Sequence, residues 1–170
     1  MKTIRFFAAA ACLAVMASCG GGASKEKASE KAVDDEAFYA TQPVVSGQYR
    51  ADSYDITGPN ERKGKFDGRL IISLSPSEQS GMYVYENGNR AKIDYKVVLK
   101  APFEKGDSGV YKTVDVNDLP VTITSDSLGY VLSFEKKDSK VKIGFEKDPM
   151  STGSALEMME RITSTIQKNK

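Results

Sequence analysis

From Val45 to Asp148 apolar and polar side chains alternate at a period of two, broken by turn residues at intervals of roughly ten. A strand places such residues on opposite faces, whereas a helix of 3.6 residues per turn would scatter them. Ile93, Tyr95, Val97 and Leu99 alternate with Lys92, Asp94, Lys96 and Val98, so one face is apolar and the other largely charged. The same pattern recurs in Leu70, Ile72 and Leu74, in Val121 and Ile123, in Tyr130, Leu132 and Phe134, and in Val141, Ile143 and Phe145. A first strand around Val45 to Ile56 carries Tyr49 and Tyr54, and Met82 to Tyr85 and Val110 to Val114 form two more. The pattern predicts about eight strands, each half buried.

The connectors read as turns. Asn87 and Gly88 tolerate the positive φ of a two-residue hairpin turn, and Lys137 and Asp138 with Ser139 fit a short polar loop. Ser75 to Ser77, Gly106 to Gly109 and Asn117 to Pro120 mark further turns, and short links favour antiparallel neighbours. Gly58 to Gly68 is the longest polar connection and is expected to be a mobile loop. Past Asp148 the period changes. Ala155, Leu156, Met159, Ile162 and Ile166 fall on one face at helical spacing, with Ser154 or Ser151 as N-cap and Glu157 in capping-box position. A C-terminal helix of about fifteen residues is expected, its stripe suited to packing on a sheet, with a membrane-lying or partner-binding role as the alternative.

The N-terminus has a different logic. Lys2 and Arg5, the apolar run Phe6 to Ala17, and the small residues ending at Ser18 and Cys19 follow the order of a secretory signal, too short to span a bilayer as a stable helix. Gly20 to Gly22 and the mixed charges from Lys25 to Glu36 then read as a solvated tether. The expected organisation is a signal peptide over 1–18, a tether over 19–42 and one domain over 43–170. Lys2 and Arg5 leave with the leader, so 24 basic and 23 acidic side chains become near balance, with no electrostatic footprint for nucleic acid. Cys12 and Cys19 are the two cysteines of the chain, so the domain has no thiol pair and depends on burial for stability.

Val15, Met16, Ala17, Ser18 and Cys19 resemble the bacterial lipobox, with Met16 in place of the usual Leu. The resemblance implies that Cys19 is acylated and becomes the mature N-terminus, partnering the membrane through its acyl chains. Acylated leader, charged tether and small tyrosine-rich β-domain together resemble the small lipoproteins of Bacteroides-type bacteria. By the same analogy, Gly20 after the cysteine, with no acid before Glu26, favours an outer-membrane anchor facing the periplasm. The strand meander followed by a helix, over Val44 to Lys168, is similar to the lipocalin and calycin layout. Gly47, Gln48 and Tyr49 stand where that family has Gly, any residue and Trp. The fold expectation is therefore all-β: an eight-stranded antiparallel lipocalin-like barrel with one C-terminal α-helix, or a β-sandwich covered by that helix.

Candidate chemistry is sparse. The chain has no histidine, which removes the usual general base and the commonest transition-metal ligand. Asp34 with Asp35 and Asp115 with Asp118 are the closest approaches to an acid pair, in linker and turn contexts where Asp is ordinary. Asp52, Asp55 and Asn60 approach a calcium loop without completing it. No enzyme activity, cofactor or metal is expected. Tyrosines carry more interest, because Tyr49, Tyr83, Tyr85, Tyr95 and Tyr130 come from several strands and pair an apolar ring with one hydroxyl. Tyr83 and Tyr85 share a face, opposite Met82 and Val84. Rings pointing into a barrel would line a pocket for a small apolar or amphipathic ligand; otherwise they pack the core or cover the sheet. The expectation is a non-enzymatic binding lipoprotein, with a subunit of a cell-envelope complex, acting on an envelope protein partner through its outer surface, as the second reading.

Overall fold

The computed structural model describes residues 35–88 and 93–152. The nine strands are β1 (Gly47–Thr57), β2 (Arg62–Ser73), β3 (Gly81–Glu86), β4 (Asp94–Val98), β5 (Glu104–Lys105), β6 (Val110–Val114), β7 (Pro120–Ser125), β8 (Tyr130–Lys136) and β9 (Ser139–Phe145). They form one antiparallel sheet in the order β4-β3-β2-β1-β9-β8-β7-β6-β5. The sheet curls into a barrel-like wall, and its far strands meet. The N–H of Lys100 donates to the Val114 carbonyl and that of Val116 to the Val98 carbonyl, each at 3.0 Å, around a bridge between Leu99 and Asp115.

The expected count of eight strands is corrected to nine. The extra strand, β5, prolongs the path of β4 along β6: Leu99 lies opposite Asp115, and Glu104 and Lys105 pair with Lys112 and Tyr111. Two residues of a kinked strand carry no alternation to read, so the sequence pattern misses it.

Two connectors also differ from expectation. The polar stretch Gly58 to Gly68 is strand from Arg62 onward, leaving only residues 58–61 as the turn. Gly64 and Gly68 there serve packing. A Cβ at Gly64 would stand 3.2 Å from the Tyr54 hydroxyl, and Tyr54 meets Phe66 edge-on with centroids 5.6 Å apart. A ring fills the space that glycine leaves empty, so a glycine- and lysine-rich segment still holds a strand. Asn87 and Gly88 do not form a two-residue turn. The hairpin closes with the Glu86 N–H on the Ile93 carbonyl, so six residues lie between, and Asn87 is drawn to Asp67 through its N–H (2.9 Å) and its Nδ2 (3.2 Å). The short loop at Lys137 and Asp138 is a two-residue turn, with Lys136 opposite Ser139 and Lys137 at φ 53°.

Alternation decides the interior. Tyr49, Ala51 and Ile56, Leu70 and Ile72, Met82 and Val84, Val97 and Leu99, Val121 and Ile123, Leu132 and Phe134, and Val141, Ile143 and Phe145 are all buried in one contiguous cluster. A register shift between Ala51 and Ser53 turns both Asp52 and Ser53 outward, and β1 regains its inward parity at Tyr54 and Ile56.

One end of the wall is sealed by the segment that enters β1. Residues 35–41 are helical, and Phe38 packs against the core. Gln42, 8% exposed, accepts the Phe103 N–H on Oε1 (3.2 Å) and donates from Nε2 to the Phe38 carbonyl (3.4 Å). Ser46 Oγ both accepts the Leu74 N–H and donates to its carbonyl. Packing thus begins upstream of residue 43. The expected C-terminal helix lies outside the described residues, as do Cys19 and the leader.

Candidate functional site at the open mouth

Opposite the sealed end, the top of β1, the start of β4 and the β8–β9 turn surround a cleft of about 900 Å³. Its apolar surface comes from Ile56, Pro59 and Tyr95, and its rim from Glu61, Arg62, Asp94, Lys136, Lys137 and Asp138. Up-and-down connectivity brings these together, since the ends of β1 and β8 and the start of β4 fall on the same side of the sheet. Tyr95 points inward, opposite Val84 in register, and meets Phe134 edge-on at 5.5 Å. That contact caps the core, so the cleft lies above a packed floor. Three cations and three anions on the rim give it mixed charge. Lys136 spans the gap beside β4, donating from Nζ to the Lys96 carbonyl at 3.3 Å, and the Arg62 guanidinium stands 5.9 Å from the Tyr54 ring centre.

The five tyrosines divide three ways. Tyr95 alone reaches the mouth. Tyr49 and Tyr130 both pack on Phe145, with centroids 5.4 Å away, near the sealed end. The Tyr49 hydroxyl donates to the Val45 carbonyl at 2.7 Å, and burial, reinforced by Tyr130, pushes its pKa up to about 12. Tyr83 and Tyr85 lie on the outer face, stacked at 5.4 Å, while Met82 and Val84 are buried inside. Burial raises both phenols; a hydrogen bond to Asp94 raises Tyr83 further, whereas one from Gln48 works against the rise at Tyr85. The mouth residues Ile56, Arg62 and Lys136 were not singled out from sequence. Sheet topology brings them together, because Ile56 and Lys136 lie at the ends of β1 and β8 and Arg62 at the start of the antiparallel β2.

Of the candidate acids, Asp34 lies outside the described residues, and those of the turns and β1 are engaged elsewhere. Asp115 accepts the N–H groups of Asn117 (2.8 Å) and Leu119 (2.9 Å). Burial pulls its carboxyl upward, but these bonds outweigh it and hold the group below the ordinary carboxylate range. Asp118 pairs with Lys100 at 2.6 Å, Asp55 pairs with Lys63 at 3.0 Å, and Asp52 accepts from the Ser53 hydroxyl. Among the described residues no three His, Cys, Asp or Glu side chains gather as a metal-holding group, and no helix is long and apolar enough to cross a membrane. A smaller groove of about 450 Å³ lies on the outer wall at the β1 irregularity, between Lys63, Lys65 and Lys142 and over Ser53 and Gly144. Compared with known proteins, the chain matches no family model and no curated protein.

Proposed function

We propose that this chain is a non-enzymatic, lipid-anchored binding protein. It is held through acylated Cys19 at the outer membrane, facing the periplasm, and takes a small amphipathic molecule at the open mouth of a closed, lipocalin-like barrel. The observation that carries the reading is the asymmetry of the two ends: Phe38, Gln42 and Phe103 seal one, and a cleft of about 900 Å³ opens at the other. That volume lies within the range of about 300–1,000 Å³ typical of small-molecule sites. The buried cluster beneath argues for a ligand seated at the mouth, with its apolar part on Ile56 and Tyr95 and its polar part among the rim charges. The lipid anchor and the tether would set this mouth at a distance from the bilayer surface.

Native mass spectrometry of the full protein extracted from its own envelope tests the proposal. A small molecule should travel with the wild-type protein and be lost in Tyr95→Ala, while Tyr83→Ala on the outer face retains it. Absence of any bound small molecule from wild type would refute a mouth ligand, and so would loss on Tyr83→Ala with retention on Tyr95→Ala.

A further inference from the structure

One part of the outer face is buried as if it were core. Ile71 points outward, between the inward Leu70 and Ile72, and lies outside the interior cluster, yet its exposure is 0%. It sits in a cross-strand row with Gln48 on β1 and Tyr83 on β3, and the next row holds Arg50, Arg69 and Tyr85. Farther along β2 an outward side chain is open: Lys63 keeps 77% of its side chain exposed. Tyr83 and Tyr85 stack on each other, and the Tyr85 hydroxyl accepts from Gln48 Nε2 at 3.3 Å. The patch is apolar at its centre and carries phenol, amide and guanidinium groups at its edge.

The chain leaves the described residues beside this patch. Beyond β9, Glu146 N–H bonds to the Arg50 carbonyl, Met150 N–H to the Gln48 carbonyl and Gln48 N–H to the Ser151 carbonyl. Residues 146–151 therefore run along the start of β1, next to the end of the row that continues through Ile71 to Tyr83. Eighteen residues follow from Gly153 to Lys170, with Ala155, Leu156, Met159, Ile162 and Ile166 at the spacing of a single helical stripe. At about 1.5 Å per residue a helix of that length reaches about 25 Å. Three strands spaced about 4.8 Å apart are far narrower than that.

We infer that residues 154–168 dock as an amphipathic helix on the outer face of β1, β2 and β3, laying the stripe from Leu156 to Ile166 over Ile71, Tyr83 and Tyr85. The occupant is this chain's own C-terminus because its exit point adjoins the patch and its stripe is apolar, as a partner for the buried Ile71 must be. Docking there also leaves the mouth free.

Hydrogen exchange on the full chain tests this directly. In the wild-type protein, amides of 155–168 should exchange at least about ten-fold slower than in Ile71→Asp, whose β8 and β9 amides keep their protection. Ile162→Asp, placed in the tail so that the barrel folds, should bring the phenol absorbance titration of Tyr83 and Tyr85 down toward the ordinary tyrosine range. Wild-type amides of 155–168 exchanging at free-peptide rates would overturn the inference. An Ile162→Asp protein whose tyrosine titration is unchanged would do the same. Protection that vanishes on dilution of the wild-type protein would assign the patch to a second copy and also overturn it.

Discussion

Replacing Asp115 by Ala should unfasten the seam of the barrel at a calculable cost. The residue is 9% exposed and sits where β6 ends, with its backbone in the bridge to Leu99. Its carboxylate satisfies two turn N–H groups, those of Asn117 and Leu119, and a third donor in Asn117 Nδ2 at 3.2 Å. A hydrogen bond to a charged acceptor contributes about 1.5–3 kcal/mol when buried and about 0.5–1.5 kcal/mol where water can replace the partner. With two backbone bonds lost in a turn open on one side, about 2–3 kcal/mol is expected. In urea, at an m-value of about 2 kcal/mol per M, the midpoint should fall by about 1–1.5 M. The pH dependence gives a second reading. The folded carboxyl is held below its ordinary value of 3.8, so its contribution is fully present above that value and is lost as the pH falls through the lower folded one. The gap between wild type and Asp115→Ala should therefore be widest near neutrality and narrow as the pH falls below the ordinary carboxylate value of 3.8. A midpoint shift under about 0.3 M at pH 7, or a gap that persists undiminished in acid, would refute the assignment of stability to this carboxylate.

Tyr49→Phe removes the hydroxyl on the Val45 carbonyl and should cost about 1 kcal/mol by urea unfolding at pH 7. Because the folded phenol is raised from 10.0 to about 12, its share of stability is complete below pH 10 and disappears as the pH climbs through about 12; the variant should lose less stability over that interval. Gly58→Ala should destabilise by about 1–3 kcal/mol, since its φ of +134° is strained for a side chain and a Cβ would stand 2.6 Å from the Asp138 carbonyl oxygen; a shift in urea midpoint measures it. Cys19→Ser should move the protein from the membrane to the soluble fraction on cell fractionation and abolish labelling by radioactive palmitate.

Sequence rhythm carried the β-structure where each strand has a wet and a dry face, and it faltered where a local feature replaced the alternation. β8 and β9 are legible because Leu132, Phe134, Val141 and Ile143 face inward with polar neighbours between, and a two-residue turn joins them. The front of β2 is not, because Gly64 and Gly68 occupy inward positions whose space is taken by the rings of Tyr54 and Phe66. β5 has no periodicity to show; it is a two-residue strand held to β6 across the local turn that follows it, with the Gly106 N–H on the Val110 carbonyl. The mouth was hidden for a related reason. Alternation assigns Tyr95 to the inside and Tyr83 and Tyr85 to the outside, but whether an inward ring fills the core or borders a cleft depends on its height in the wall. Tyr49 and Tyr95 are both inward tyrosines, yet Tyr49 ends 1% exposed against Phe145 and Tyr95 ends at the rim. Height is fixed by stagger between strands, and stagger is set by the irregularity at Ala51 and Ser53 and by the Leu99–Asp115 bridge, neither of which leaves a mark in the order of apolar and polar residues.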